Sequence, residues 1–302
     1  MVSSDVPGVT LTPSSARGRA RSSIEAPAPS VPLATLEVPP GDTGPWHLWI
    51  DETPRPGWGN MAIDQTLLER AERLGESWLR LYRWEPHCLS FGRHEPATRR
   101  YDVDRISRLG LDLVRRPTGG RAVWHGREVT YALAAPTSRF GSLQAAYLEI
   151  HRMLADALER LGVQVSVAPA VRTAPLDAGA CFAQPAGGEL VVAGRKVVGS
   201  AQYRQGTALL QHGSILLEDE QGIVLGLTRK ATPENFLHHA DQAPAPLLGR
   251  PVRRAEVTAA ITRGAVDRWP GRWDRIAGPA PVLDAASQHY PHYRSAAWTW
   301  AR

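Results

Sequence analysis

Apolar residues recur along this chain at two spacings, and the switches between them divide it into elements. Trp46 to Asp51 (WHLWID) reads as a first strand. Met61, Leu67, Leu68, Ala71 and Leu74 then fall at helical spacing, with Asn60 offering an N-cap and Gly75 a stop. Trp78 to Trp84 alternates as a strand, Cys88 to Gly92 gives another, Tyr101 to Leu109 predicts a short helix and Leu111 to Val114 a short strand. Ala122 to Trp124 and Glu128 to Ala134 return to strand composition. Ser142 to Leu161 carries the longest helical stripe, built from Leu143, Ala146, Ile150, Met153, Leu154, Ala157 and Leu161. His151 lies beside that stripe and reads as structural. After a strand at Val163 to Val167 and a Pro, Ala and Gly loop at 169–180, Leu190 to Val192 and Lys196 to Tyr203 flank a tight turn at Ala193-Gly194. Ala208 to Leu217 pairs back across Gln205-Gly206, Glu256 to Trp269 is helical, and residues 283–300 predict one more helix with Trp298 and Trp300 at its end. Strands arrive mainly as hairpins with few crossover helices. That order predicts an α+β fold, a mixed, mostly antiparallel sheet flanked by helices.

Bulk properties narrow the class. The chain has 302 residues, 43% of them apolar, and no run approaches the roughly 18 apolar residues of a membrane span. Its net charge of +5 fits an enzyme that handles an acidic carrier protein or a phosphorylated group. Basic runs interleaved with aromatics are missing, which argues against a nucleic-acid partner. Cys88 and Cys181 make no metal spacing and no disulfide framework, as suits a reducing cytoplasm. Cys88 sits in an apolar run and reads as a small core residue. Residues 1–45 are rich in Ser, Pro and Ala. No apolar core follows Arg17, Arg19 and Arg21, and Asp5, Glu25, Glu37 and the prolines argue against a transit peptide. They read as a disordered extension, with residues 46–302 as the folded domain.

Two stretches hold the chemistry. Arg115 to Tyr131 reads RRPTGGRAVWHGREVTY, with Gly119 and Gly120 letting backbone approach a ligand closely. Arginines at 115, 116, 121 and 127 surround that bend, a density suited to anionic groups. Gly194 to Glu218 reads GRKVVGSAQYRQGTALLQHGSILLE. Cys181 lies on a loop without a partner cysteine, and Lys196 stands near the start of a strand.

Together these motifs resemble the biotin/lipoate protein ligase superfamily, and the form with Thr118 and Arg121 resembles its cysteine-dependent octanoyltransferases. Asn60-Met61-Ala62-Ile63-Asp64 is similar to the family's usual opening of its first helix, and the likeness covers residues 46–220 well. It implies the superfamily's catalytic-domain fold, with Cys181, in a Cys-Phe pair before the Gly-Arg-Lys hairpin, as nucleophile. Lys196 would stabilise the thiolate or bind the acyl carbonyl and its oxyanion. Arg116, Thr118, Gly119, Gly120, Arg121, Ala122, His125, Gly199, Ser200, Ala201, Gln202, His212 and Gly213 would line the substrate site, with His212 a candidate general base. A thiolate suits transfer from a thioester, provided nearby charge lowers its pKa below about 8.5. The resemblance implies octanoyl-acyl carrier protein as donor. It implies the lipoyl domains of 2-oxoacid dehydrogenases, or the glycine-cleavage H protein, as acceptors, with no cofactor and no metal. The rivals are an ATP-dependent lipoate ligase, an amidotransferase between lipoyl domains, and a binding module without turnover. The ligases carry Asp-x-Gly-Asn after the motif's His, where this chain has Gly126-Arg127-Glu128-Val129. In the position of Glu95 the family commonly has Gln.

The composition of residues 1–45 cannot bury enough surface to offset ordering the chain. A protein beginning near Gly44 is expected to melt at the same temperature as the full chain; a lower melting temperature would make the extension structural.

Overall fold

A computed structural model describes residues 44–168, 189–232 and 245–301. The expected extension (all but its last two residues), the loop at 169–180 and Cys181 lie outside the described residues. Among those described, the strands are β1 (Trp46–Ile50), β2 (Ser77–Tyr82), β3 (Cys88–Phe91), β4 (Asp112–Arg115), β5 (Val123–His125), β6 (Glu128–Pro136), β7 (Ser166–Val167), β8 (Leu190–Val192), β9 (Arg195–Gln205), β10 (Ala208–Leu216) and β11 (Trp273–Arg275). Eight form a sheet in the order β11-β1-β2-β6-β10-β9-β8-β7. Only β1 with β11 and β1 with β2 run parallel there; every other pair is antiparallel. The expected mixed, mostly antiparallel sheet is present. The sequence did not announce a second sheet, β4-β3-β5, nor the edge strand β11.

Helix α1 (Gly57–Leu74) packs on one face of the large sheet around Met61, Leu67, Trp78, Ala132 and Leu210. On the other face Ile150, Met153 and Leu154 of the helix Leu143–Glu159 join Val257 and Ile261 of Arg254–Arg268, with Leu79, Leu133 and Leu209 from the sheet. Trp46 stacks between Trp269 and Trp273, at centroid distances of 5.0 and 5.2 Å, which is how β11 is held on the edge. His151 is buried, donates from Nδ1 to the Tyr147 carbonyl at 2.8 Å, and is held neutral by burial, its pKa lowered to about 4; it is structural, as expected. No described helix is long and apolar enough to cross a membrane.

The strand expected at Val163–Val167 is only Ser166–Val167 and the helix expected at Tyr101–Leu109 runs Val103–Arg108; two further expectations change for a clear local reason. α1 starts at Gly57 after Pro56, a turn earlier than an Asn60 cap would place it. Asn60 instead turns inward, donating to the Arg55 and Arg83 carbonyls at 3.3 and 3.2 Å. The orphan first-turn amide of Gly57 is met by Asp112 Oδ2 at 2.6 Å. The helix expected over 283–300 is broken into Ala280–Ala286, a 3-10 turn at Ser287–His289, Tyr290–Arg294 and Ala296–Thr299. Pro291 withholds a backbone donor, and Ser295 is extended at φ −70° and ψ 125°.

A charged group sits in the middle of the core. Arg80 is fully buried on β2 and donates to Asp51 Oδ2 at 2.7 Å, Asp64 Oδ1 at 3.0 Å and Asn60 Oδ1 at 2.8 Å. Its guanidinium also lies 4.0 Å from the Tyr82 ring centroid. Arg80→Leu would strand two buried carboxylates, at a cost of about 3–5 kcal/mol. Urea unfolding should show this loss. A change below about 1 kcal/mol would mean the cluster contributes no more than a surface ion pair.

Candidate functional site

The motif loop between β4 and β5 is shaped by guanidinium groups turned onto backbone. Arg116 Nη1 donates to the Ser90 carbonyl and Oγ at 3.0 and 2.5 Å, and Nη2 to the carbonyls of Gly119 and Arg121 at 3.2 and 2.9 Å. Arg115 donates from Nη1 to the carbonyls of Gly92 and Glu95, at 2.7 and 3.0 Å, and from Nε to those of Trp298 and Thr299, both at 3.1 Å. Arg127 is exposed and pairs with Glu218 and Glu220 at 3.2 and 3.7 Å. Arg115 and Arg116 thus direct these donors to the protein's own backbone, and Arg127 to two carboxylates. A buried loop carries carbonyls that water cannot reach, and the forks satisfy them. Gly92 lets the loop sit close: a Cβ there would lie 1.8 Å from the Gly120 carbonyl oxygen.

The second motif supplies the facing wall. β9 and β10 pair with His212 opposite Ala201, Gly213 opposite Ser200 and Ser214 opposite Gly199. A Cβ on Gly213 would meet the Gly199 carbonyl at 2.4 Å, so glycine is required where the strands press together. Between the two motifs lies a mostly apolar cleft with a cavity volume of about 40 Å³. Of the expected residues, Arg116, Gly120, His125, Gly199, Ser200, Ala201, His212 and Gly213 line it. Thr118 is buried beside His212, with its Oγ 2.6 Å from Nε2.

The other expected residues are placed elsewhere. Gly119 and Arg121 belong to the loop, where their carbonyls accept from Arg116. Ala122 packs into the apolar cluster of Leu89, Phe91 and Trp124 beneath it. Gln202 donates to Gln211 Oε1 and the Leu143 carbonyl, both at 2.9 Å. Lys196 is buried, off the lining of the cleft, with Nζ 2.6 Å from Glu189 Oε1. Cys181 is outside the described residues, but its segment leaves and rejoins them at Ala168 and Glu189, whose backbones bond at 2.7 Å. Cys88 is buried, as expected; burial, then the neighbouring Asp112, push its thiol pKa up. Glu95 is buried too, and its Oε1 accepts from Tyr101 Oη at 2.8 Å.

Both cleft histidines are fixed at each ring nitrogen. His125 stacks on Trp84 with centroids 3.9 Å apart. Its Nδ1 lies 2.7 Å from Glu128 Oε1 and its Nε2 2.6 Å from Ser90 Oγ. Glu128 Oε1 also accepts from Thr130 and Ser214. His212 Nδ1 lies 2.9 Å from Asp64 Oδ2. Burial, the largest influence, lowers the His212 pKa against the raising effect of Asp64, so the ring is neutral at pH 7. The carboxylate accepts the Nδ1 hydrogen, which leaves the Nε2 lone pair to the Thr118 hydroxyl. The cleft thus presents an apolar groove, close-approaching backbone and a neutral imidazole ring held by hydrogen bonds at both nitrogens, a set suited to acyl transfer.

Sequence reasoning missed Asp64, Tyr82, Trp84, Thr130 and Ser214. One signal was present: Trp78, Arg80, Tyr82 and Trp84 share a face at period two, and a lone arginine among aromatics implies a buried acid opposite. The loop geometry yields a paired test. Gly92→Ala should lose about 1–3 kcal/mol, since backbone must move to admit the methyl. Gly119→Ala, where a Cβ would find nothing within 4 Å, should change stability by under about 0.5 kcal/mol. Equal melting temperatures for the two variants would show that the loop does not press on Gly92.

The lipoyl protein ligase A/B catalytic domain matches residues 56–253. An octanoyltransferase LipM of Kyrpidia tusciae is 35% identical over 260 residues, covering 80% of this chain and 94% of the relative. One from Moorella thermoacetica is 35% identical over 243 residues, covering 75% and 89%. A bipartite lipoate protein ligase of Thermoplasma acidophilum, solved in work that includes its E2 lipoyl domain, shares the fold, with a TM-score of 0.63 at 19% identity over 85% of this chain and 96% of that one. With two thirds of its length matching the domain and relatives aligned nearly end to end, this chain belongs to the lipoyl protein ligase A/B catalytic domain family and is an acyl-transferring enzyme.

Proposed function

We propose that the enzyme takes an octanoyl group from octanoyl-acyl carrier protein onto Cys181 as a thioester. It then passes the group to a lysine of a lipoyl domain of a 2-oxoacid dehydrogenase, or of the glycine-cleavage H protein, in lipoate biosynthesis. The observation that carries this reading is the convergence of two glycine-rich motifs, far apart in sequence, on one apolar cleft containing a neutral imidazole. The octanoyl group follows from the relatives named octanoyltransferase. In the first step the Cys181 thiolate attacks the donor's thioester carbonyl and the carrier thiolate leaves, so little energy changes. In the second the acceptor amine attacks, His212 Nε2 takes its proton, and Cys181 leaves as thiolate. Lys196 stabilises that thiolate or the oxyanion; its ammonium is tied to Glu189, where the Cys181 segment rejoins the described chain. The rival ligase chemistry finds less support in the residues after His125. Glu128 is occupied by His125, Thr130 and Ser214, and Arg127 by Glu218 and Glu220.

Intact-protein mass after mixing with octanoyl-acyl carrier protein should show one octanoyl adduct. Cys181→Ser should abolish it and Cys88→Ser retain it, and varying the acceptor should give parallel double-reciprocal lines. Pyrophosphate released from ATP and octanoate in step with lipoyl-domain modification would make the protein a ligase. Octanoyl H protein serving as the better donor would make it an amidotransferase.

A further inference from the structure

Asp64 has no contact with the cleft, yet it touches the group that does. It is fully buried on α1, and its two oxygens accept from Arg80 Nη1 at 3.0 Å, Tyr82 Oη at 2.8 Å and His212 Nδ1 at 2.9 Å. Arg80 has no acceptor atom, and the Tyr82 hydroxyl points its hydrogen at the carboxylate. Asp64 therefore offers His212 an acceptor and nothing else. On the far side of the ring Nε2 meets Thr118 Oγ at 2.6 Å, and the ring itself lines the cleft.

From this geometry we infer that Asp64 is a positioning residue for acyl transfer: it holds His212 in the Nδ1–H tautomer, so that Nε2 is the nitrogen that takes the proton of the acceptor amine. Thr118 guards that lone pair in the resting enzyme and yields it when the amine enters. As the new C–N bond forms and the C–S bond of the thioester breaks, the amine proton moves to Nε2 and the electron pair leaves with sulfur. The imidazolium then faces the Asp64 carboxylate and releases its proton to solvent, leaving Cys181 as the thiolate. The other charged neighbours, Arg116 and His125, oppose a proton on His212, and Asp64 alone among the principal influences of charge favours it. The arrangement is a hydroxyl, imidazole and carboxylate in line, in which the carboxylate orients the base without itself being protonated.

This inference rests on the acyl-transfer reading, and the two can fail separately. With Asp64→Asn, acylation of Cys181 by octanoyl-acyl carrier protein should proceed at the wild-type rate. Transfer of that octanoyl group to a lipoyl domain should drop about 100-fold in kcat, with KM within about twofold. In a His212→Gln background, Asp64→Asn should add no further loss, because Asp64 would have nothing left to orient. Loss of both half-reactions together, or a full second loss in the His212→Gln background, would overturn the inference in favour of a purely structural role. Nitrogen chemical shifts of the His212 imidazole in the wild-type protein give a measurement that needs no variant to fold. A protonated Nδ1 with bare Nε2 is expected, and a protonated Nε2 in the neutral ring would overturn the inference. If Cys181 never becomes acylated, the acyl-transfer reading has failed, while the tautomer measurement still decides the role of Asp64.

Discussion

The Asp64 carboxylate, accepting at once from Arg80, Tyr82 and His212, ties α1 to two strands of the main sheet and ties the core to the cleft. Burying such charges costs several kcal/mol each before any attraction is counted. That cost is met here by hydrogen bonds on nearly every available donor: Arg80 reaches Asp51, Asn60 and Asp64, and Asn60 in turn holds the carbonyls of Arg55 and Arg83. An apolar substitute would pack the same volume but would leave α1 free to slide or rotate against β2. Directional bonds remove that freedom, and with it any drift of the imidazole they support.

A second set of directional bonds fixes the opposite wall. Arg115 and Arg116 turn inward and donate to carbonyls, so the glycine-rich bend is rigid even though glycine is the most permissive residue. Arg115 also draws in the carbonyls of Trp298 and Thr299, while Trp298 Nε1 donates back to the Arg115 carbonyl at 2.9 Å. The C-terminal end, beyond the residues that match the family domain, is thus a brace for the motif loop rather than an appendage. Positive charge concentrated in the motif is largely consumed by the protein's own backbone, and the cleft that remains is mostly apolar. That is the environment in which a neutral imidazole persists at pH 7 and a hydrocarbon chain is welcome.

Periodicity alone determined much about this protein. The 3.6-residue stripe of Leu143 to Leu161 and the period-two strands on either side of Gly206 are local facts, set by which side chains must leave water, and the structure places them as expected. Two motifs, rich in glycine, arginine and histidine beyond what turns require, marked the walls of the cleft. Tertiary structure decided the rest. Whether an arginine meets a substrate or a carbonyl depends on which backbone lies within about 3 Å, and Arg115 finds its partners some twenty residues back and at the far end of the chain. Pairing of Asp64 with His212 spans 148 positions, a distance over which sequence carries no register. Residue type determined what each group can donate or accept; only the packing of α1 across β2 and β10 decided which partner it meets.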